Sequence, residues 1–261
     1  MSRKILLSTL CVTSHCIIAM AQSPIIIAHR GFSQIAPENT LSAFESAIQC
    51  GAPYFELDVQ KSHDSVPIVI HDESLDRTTS CNLTGRIDEY DAIELKKVTV
   101  GYPSKFGDQF QDEMLPTLGD ALELAQNRIN VCVEIKTEGI ESEIIEEIRS
   151  REMEKQVVIF SFIPKVLTEI HALAPELKIL FLKEHAAMAD VEFTKNMGAF
   201  AMGVGGKTEL NPKFMDYADA LGIQIWRWTV DDPQEMTTLI ELGIDAIITN
   251  RPDLGLRAIK E

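Results

Sequence analysis

Positive charge is scarce in this chain of 261 residues. Lysine and arginine total 24 against 40 aspartates and glutamates, for a formal net charge of −16. No run of Lys or Arg forms a local basic patch. That excludes a general affinity for nucleic acid or anionic membrane surfaces, which both need clustered cations. Cysteine is sparse too, with five residues and no Cys-x-x-Cys spacing. A dithiol redox pair and a thiolate zinc site are therefore excluded. Beyond the first 21 residues no apolar run is long enough to cross a bilayer. Repeats at a solenoid period and low-complexity tracts are absent.

What is present starts with an unusual N-terminus. Ser2-Arg3-Lys4 is a short basic stretch, Ile5 to Met20 is mostly apolar, and Ala19-Met20-Ala21 offers a small-residue cleavage site before Gln22. Ser14 and His15 interrupt the apolar run, against a stable membrane span. Neither Cys11 nor Cys16 follows a small residue, so no lipid anchor is expected. Residues 1–21 read as a cleaved secretory signal and 22–261 as the mature, secreted or periplasmic protein. Cleavage removes Arg3 and Lys4, taking the net charge from −16 to −18. Cys50, Cys81 and Cys132 remain. Cys132, inside an apolar run, reads as a small core residue, and a Cys50–Cys81 bridge stays open.

From Gln22 onward, short apolar runs alternate with amphipathic stretches. Strands are expected at 25–28, 53–59, 66–70, 131–135, 157–161, 178–182, 199–203, 223–228 and 245–249. Helices are expected at 39–50, 118–128, 140–152, 164–173, 187–196, 211–221 and 233–242. The strands are continuously apolar, as parallel strands covered by helices should be. A repeated β–α–β rhythm over this length predicts an α/β fold of the TIM-type (β/α) barrel class.

Nine strands are one too many for such a barrel. Between Asp58 and Pro67 there is no room for a crossover helix, since a parallel return needs about a dozen residues. The turn-like His63-Asp64-Ser65 makes 54–71 a β-hairpin centred near Asp64. Residue 56 then lies across from 71 or 72, and Glu56, Asp58 and His71 become neighbours by backbone pairing alone. Residues 73–115 break the rhythm and are too long for a structureless loop in a compact domain. They read as a small insertion over the barrel mouth.

Several strands deliver an ionisable side chain at their C-terminal ends: His29 with Arg30, Glu56 with Asp58, His71, and Glu134 with Lys136. Two imidazoles, three carboxylates, an Arg and a Lys at one mouth suit acid–base chemistry on an anionic substrate held with a metal. Glu56 and Asp58, two apart on a strand, face the same way, and a hard divalent cation wants such oxygen ligands. The rival reading is that these carboxylates simply pair with Arg30 and Lys136.

The chain resembles the glycerophosphodiester phosphodiesterase family from Ile26 to Leu254. The resemblance rests on Ala28-His29-Arg30-Gly31, Pro37-Glu38-Asn39-Thr40, Glu56-Leu57-Asp58-Val59 and His71-Asp72 followed by Leu75-Asp76-Arg77-Thr78-Thr79. Further on it rests on Leu115-Pro116-Thr117-Leu118, Glu134-Ile135-Lys136, Ser161-Phe162, Trp228-Thr229-Val230 and Ile248-Thr249-Asn250-Arg251-Pro252-Asp253. The resemblance implies hydrolysis of glycerophosphodiesters such as glycerophosphocholine or glycerophosphoethanolamine to glycerol phosphate and an alcohol. It implies Glu56, Asp58 and Glu134 as ligands of Mg²⁺ or Ca²⁺, with Glu38 near the same site. His29 and His71 become the acid–base pair, with the roles unassigned and the attack, by water or by a glycerol hydroxyl, undecided. Arg30 and Lys136 become phosphate ligands, and Trp228 an aromatic wall, whereas Trp226 fits core packing equally well. Asn250 stands where many relatives carry Asp and is expected to cap the last turn. His171 is expected at the surface, and Gly203-Val204-Gly205-Gly206-Lys207, which lacks P-loop spacing, as a flexible loop. Two other readings use the same barrel: a lysophospholipase D or sphingomyelinase-D-like enzyme, and a non-catalytic phosphodiester-binding protein.

Overall fold

A computed structural model describes residues 23–79 and 83–260. The expected signal and Cys81 lie outside the described residues; Cys50 and Cys132 are free thiols. Eight strands close a parallel barrel: β1 (Ile25–Ala28), β2 (Tyr54–Lys61), β4 (Asn130–Ile135), β5 (Val157–Ser161), β6 (Lys178–Lys183), β7 (Ala201–Val204), β8 (Gln224–Arg227) and β9 (Ala246–Thr249). They neighbour one another in that order, and β1 closes the ring by pairing with both β9 and β2. The ninth expected strand, β3 (Pro67–Val69), lies outside the ring, antiparallel to β2. Its register, Val59 opposite Val69 and Lys61 opposite Pro67, centres the hairpin on Asp64.

Helices pack around the ring: α1 (Leu41–Cys50), α4 (Leu118–Ala125), α5 (Glu141–Arg149), α6 (Pro164–Leu173), α7 (Met188–Asn196), α8 (Pro212–Leu221), α9 (Pro233–Leu242) and α10 (Pro252–Ala258). Proline at the first helical position starts α6, α8, α9 and α10, where its fixed φ suits the turn and its missing N–H has no partner to lose. Asn211 and Asp232 cap α8 and α9 through their side chains. The sequence reading missed α10. It is short, and Gly255 in its middle is a poor helix former. A Cβ at Gly255 would lie 2.9 Å from Ile26, so close packing on β1 requires glycine there.

Alternation along each strand divides the core in two. Outward residues such as Phe55, Leu57, Val131 and Val133 pack beneath the helices. Inward residues Ile27, Cys132, Val158, Phe160, Leu180, Leu182, Trp226 and Ile248 fill the barrel. Each large apolar side chain so buried contributes about 1.5–3 kcal/mol. The next inward position on each strand reaches the open, C-terminal end, where barrels of this kind build their sites.

Residues 73–115 contain a 3₁₀ turn (Ile87–Glu89), α2 (Ala92–Leu95) and α3 (Pro103–Phe106). Little apolar periodicity is visible there, yet Leu75, Ile87, Leu95, Val98, Val100 and Leu115 form a second small core against Ile68 and Ile70 of the hairpin.

Candidate active site

The inward phase explains the site's composition. His29 follows Ile25 and Ile27 on β1, Glu56 and Asp58 follow Tyr54 on β2, and Glu134 and Lys136 follow Cys132 on β4. The same phase brings Phe162 after Phe160, Trp228 after Trp226, and Asn250 after Ile248. The mouth is thus polar over β1, β2 and β4 and apolar over β5, β6 and β8. One cavity of about 270 Å³ is lined by His29, Arg30, Glu56, His71, Glu134 and Lys136 on one side and by Phe160, Phe162, Leu182, Trp228 and Ile248 on the other. The two imidazoles expected to work together therefore face one space.

Single oxygens of Glu56, Asp58 and Glu134 lie within 4.8 Å of one another. Asp58 and Glu134 are direct partners in the β2–β4 register. Burial, then Asp58 and Glu134, push the Glu56 carboxyl well above its usual range. Burial and Asp58 raise Glu134 to about 7. Burial opposes ionisation of Asp58 as well, but Arg30 and Lys136 outweigh it and hold the group well below the carboxylate range. Buried Oε1 of Glu56 has no hydrogen-bond partner. Three crowded oxygen donors, one of them unpartnered, fit a hard divalent cation, which would relieve the repulsion. Glu38 does not join this trio. Arg30 Nη1 donates to its Oε1 at 2.7 Å, and Arg77 donates to both its oxygens at 2.8 and 2.9 Å.

Arg30 has φ +55° and Gly31 φ +79°. The two left-handed residues turn the chain sharply after β1, and strained backbone of this sort concentrates at working sites. A Cβ at Gly31 would strike the Ala43 backbone at 2.6 Å. Arg30 N–H donates to Glu56 Oε2 at 2.8 Å, and Arg30 Nε lies 3.1 Å from Asp58 Oδ2. Lys136 Nζ donates to Glu134 at 2.8 Å and to Asp58 at 3.3 Å. The carboxylates that could hold a cation and those paired with Arg30 and Lys136 are thus the same groups. Buried Asn39 accepts from Asp58 N–H and donates to Asp58 Oδ2, fixing that carboxylate.

Each histidine is held through Nδ1. Asn250 donates through Nδ2 to Asp231 at 2.6 Å, which turns its Oδ1 toward His29 Nδ1 at 2.8 Å. Because Oδ1 only accepts, the proton sits on Nδ1 and Nε2 is free. Burial, then Arg30, lower the His29 pKa to about 4. Asn250 is therefore no helix cap, as the sequence suggested; Arg251 occupies that position. His71 Nδ1 lies 2.6 Å from Asp72 Oδ1. Burial lowers its pKa, against the pull of Asp58 and Asp72.

Trp226 is 1% exposed inside the barrel, so it is core and only Trp228 lines the cavity. Ser161 Oγ donates to Ile135 O and accepts from Ile163 N–H, a structural role. His171 is half-buried rather than at the surface, its Nδ1 unpartnered. The Gly203–Lys207 stretch is held by Arg227, which donates to the carbonyls of Gly205 and Gly206. The residue reading missed Asn39, Asp72, Arg77 and Asp231 as partners. Asn39, Asp72 and Arg77 lie within the quoted motifs and Asp231 just beyond one, but nothing local says which group each holds: Asn39 meets Asp58, Arg77 meets Glu38 and Asp231 meets Asn250 at 19 to 39 residues' separation.

The glycerophosphoryl diester phosphodiesterase family model matches residues 29–254. A glycerophosphodiester phosphodiesterase from Caldanaerobacter subterraneus subsp. tengcongensis is 34% identical, over 91% of this chain and 98% of its own. One from Bacillus subtilis is 31% identical over 87% and 84%. An Oleispira antarctica phosphodiesterase, solved in complex with the product sn-glycerol-3-phosphate, superposes with a TM-score of 0.81 at 30% identity, covering 92% of this chain and 98% of that one. With a family match across the whole barrel, the chain belongs to the glycerophosphoryl diester phosphodiesterase family and is a phosphoric diester hydrolase.

Proposed function

We propose that this enzyme hydrolyses glycerophosphodiesters with small head groups, such as glycerophosphocholine and glycerophosphoethanolamine, releasing glycerol phosphate and the alcohol. The carrying observation is the shared cavity, with two imidazoles, an arginine, a lysine and an acidic trio on one side and an apolar wall on the other. The Oleispira enzyme's bound product supports glycerol phosphate as the product here.

Arg30 and Lys136 receive the phosphoryl oxygens and offset charge that grows in the transition state. Glu56, Asp58 and Glu134 would hold Mg²⁺ or Ca²⁺, which supplies Lewis-acid polarisation of the phosphoryl group. His29, half-buried and neutral with Nε2 free, acts as the base and takes a proton from the attacking water, whose oxygen stays on the glycerol phosphate. His71, whose Nδ1 the Asp72 carboxylate holds at 2.6 Å, acts in its imidazolium form as the acid and protonates the departing alcohol oxygen from Nε2. Phe162 and Trp228, edge to face at 5.5 Å, border the organic part of the substrate. We also propose export, supported by the basic, apolar and small-residue order of residues 1–21; a secreted or periplasmic product should begin at Gln22 by N-terminal sequencing.

The test is choline release from glycerophosphocholine, with Mg²⁺, with Ca²⁺ and after EDTA. Chelation should abolish turnover, and His29→Ala and His71→Ala should each lose about 10²-fold or more in kcat. With a p-nitrophenyl leaving group, which needs no proton, His71→Ala should lose far less than His29→Ala. Equal losses on both substrates would overturn the assignment of acid and base.

A further inference from the structure

The insertion reaches the residues of the site through the side chain of Arg77. Arg77 lies between Leu75 and Thr78, both buried, with Leu75 in the insertion's core and Thr79 Oγ1 donating to Leu75 O at 2.7 Å. Its guanidinium meets two carboxylates at once. Nε donates to Asp72 Oδ2 at 2.6 Å and Nη2 to Asp72 Oδ1 at 3.0 Å. Nη1 and Nη2 donate to the two oxygens of Glu38 at 2.9 and 2.8 Å. Arg77 also lies over the Tyr102 ring, 5.6 Å from its centroid.

Each carboxylate passes the constraint on. Asp72 accepts from His71, and Glu38 accepts from Arg30. An unbroken chain therefore runs His71–Asp72–Arg77–Glu38–Arg30. Both of its ends line the cavity and its centre does not. We propose that Arg77 is a positioning residue for the reaction: it holds Asp72 and Glu38, and through them sets the imidazole of His71 and the guanidinium of Arg30 toward one phosphodiester.

The chemistry favours arginine specifically. A planar fork can bind two carboxylates bidentately in fixed directions, whereas an ammonium supplies only a point charge. Simple stabilisation is a weaker account. The Arg77 side chain is 36% exposed, and ion pairs that open to water contribute little. Misplacing catalytic groups by fractions of an ångström costs rate out of proportion to stability. With Asp72 released, His71 loses the acceptor that holds its Nδ1–H and so aims Nε2, the nitrogen that carries the transferred proton when the ring is charged, into the cavity.

The inference rests on the roles proposed above for His71 and Arg30. Its test uses the full chain with Mg²⁺. Arg77→Ala should lower kcat on glycerophosphocholine by roughly 10- to 100-fold and raise KM several-fold, while the loss in kcat shrinks with the p-nitrophenyl ester. Arg77→Lys should recover charge but less than a tenth of the lost kcat. At a pH where His71 is neutral, long-range ¹H–¹⁵N spectra should show its remaining proton on Nδ1 in the wild type and shared between tautomers in both variants. Wild-type kcat and KM with an unchanged His71 tautomer in Arg77→Ala would overturn the inference while leaving the site reading intact. Full recovery by lysine would overturn it as well. If Arg77→Ala does not fold, the lysine variant and its spectrum decide alone. If instead His71→Ala retains activity, the site reading fails, and the tautomer spectrum still judges Arg77.

Discussion

His29 shows how far a single residue could be read from the sequence. Its place at the end of an apolar run, followed by Arg30, was legible, because strand and motif are local. Its partner was not. Asn250 stands 221 positions away, and nothing local distinguishes a helix cap from an acceptor for Nδ1. The environment so formed has a measurable effect. Burial and Arg30 lower the His29 pKa from 6.5 to about 4. A lowered histidine pKa means that the unfolded chain binds a proton that the folded protein refuses. Stability from this group is therefore intact above pH 6.5 and falls as pH drops toward 4. The difference in unfolding free energy between wild type and His29→Gln should shrink by about 2 kcal/mol from pH 7 to pH 4.5. Urea midpoints at the two values check it, and a constant difference contradicts the assigned environment.

Among the elements, the hairpin was the most legible. A turn at His63-Asp64-Ser65 and a gap too short for a crossover fixed its pairing and placed its register to within one residue; the ladder, Val59 opposite Val69, settles it. The 73–115 segment was legible only as an interruption, because Leu75, Ile87, Leu95, Val98, Val100 and Leu115 are spaced at no helical or strand period and meet only in three dimensions. Helix α1 shows how an element's start serves the site. Thr40, fully buried, accepts from Ala43 N–H and donates to Pro37 O at 2.6 Å. That cap shapes the turn carrying Glu38 and Asn39, and Asn39 in turn holds Asp58. Thr40→Ala should cost about 1–2 kcal/mol by chemical denaturation. Thr40→Ser, which keeps the hydroxyl, should recover most of it. A serine variant as unstable as the alanine one would mean that the methyl group, not the cap, matters.

For the whole molecule, charge is the governing quantity. A net −16 protein draws an anionic substrate against its own field, so the few cations at the mouth, Arg30 and Lys136, and any bound cation carry the attraction. The barrel itself was legible from the β–α rhythm. Division of its mouth into polar and apolar halves was not, since that depends on which inward position of each strand falls at the rim. The acidic trio couples the site to global stability. A cation that binds only the folded state stabilises it by about 2.7 kcal/mol at a hundred times its dissociation constant. For a chain of this size that raises Tm by roughly 5–10 °C. Scanning calorimetry with and without Mg²⁺ or Ca²⁺ should show the rise in wild type and none in Glu56→Gln. Without added cation, Glu56→Gln should melt no lower than wild type, because it replaces a carboxyl whose ionisation burial and two acidic neighbours oppose and whose Oε1 has no partner. An equal cation-dependent rise in both proteins would exclude Glu56 as a ligand.

Strand β3 and the insertion occupy the excursion between two neighbouring ring strands, β2 and β4, whose spacing the ring sets by itself. Lengthening a detour between fixed ends adds only a slowly growing entropic cost. This sector of the protein is accordingly the natural place for exchange of whole modules. A segment grafted there from a relative should be tolerated by the ring, provided the graft still covers Ile68 and Ile70 and presents a guanidinium where Arg77 now meets Asp72 and Glu38.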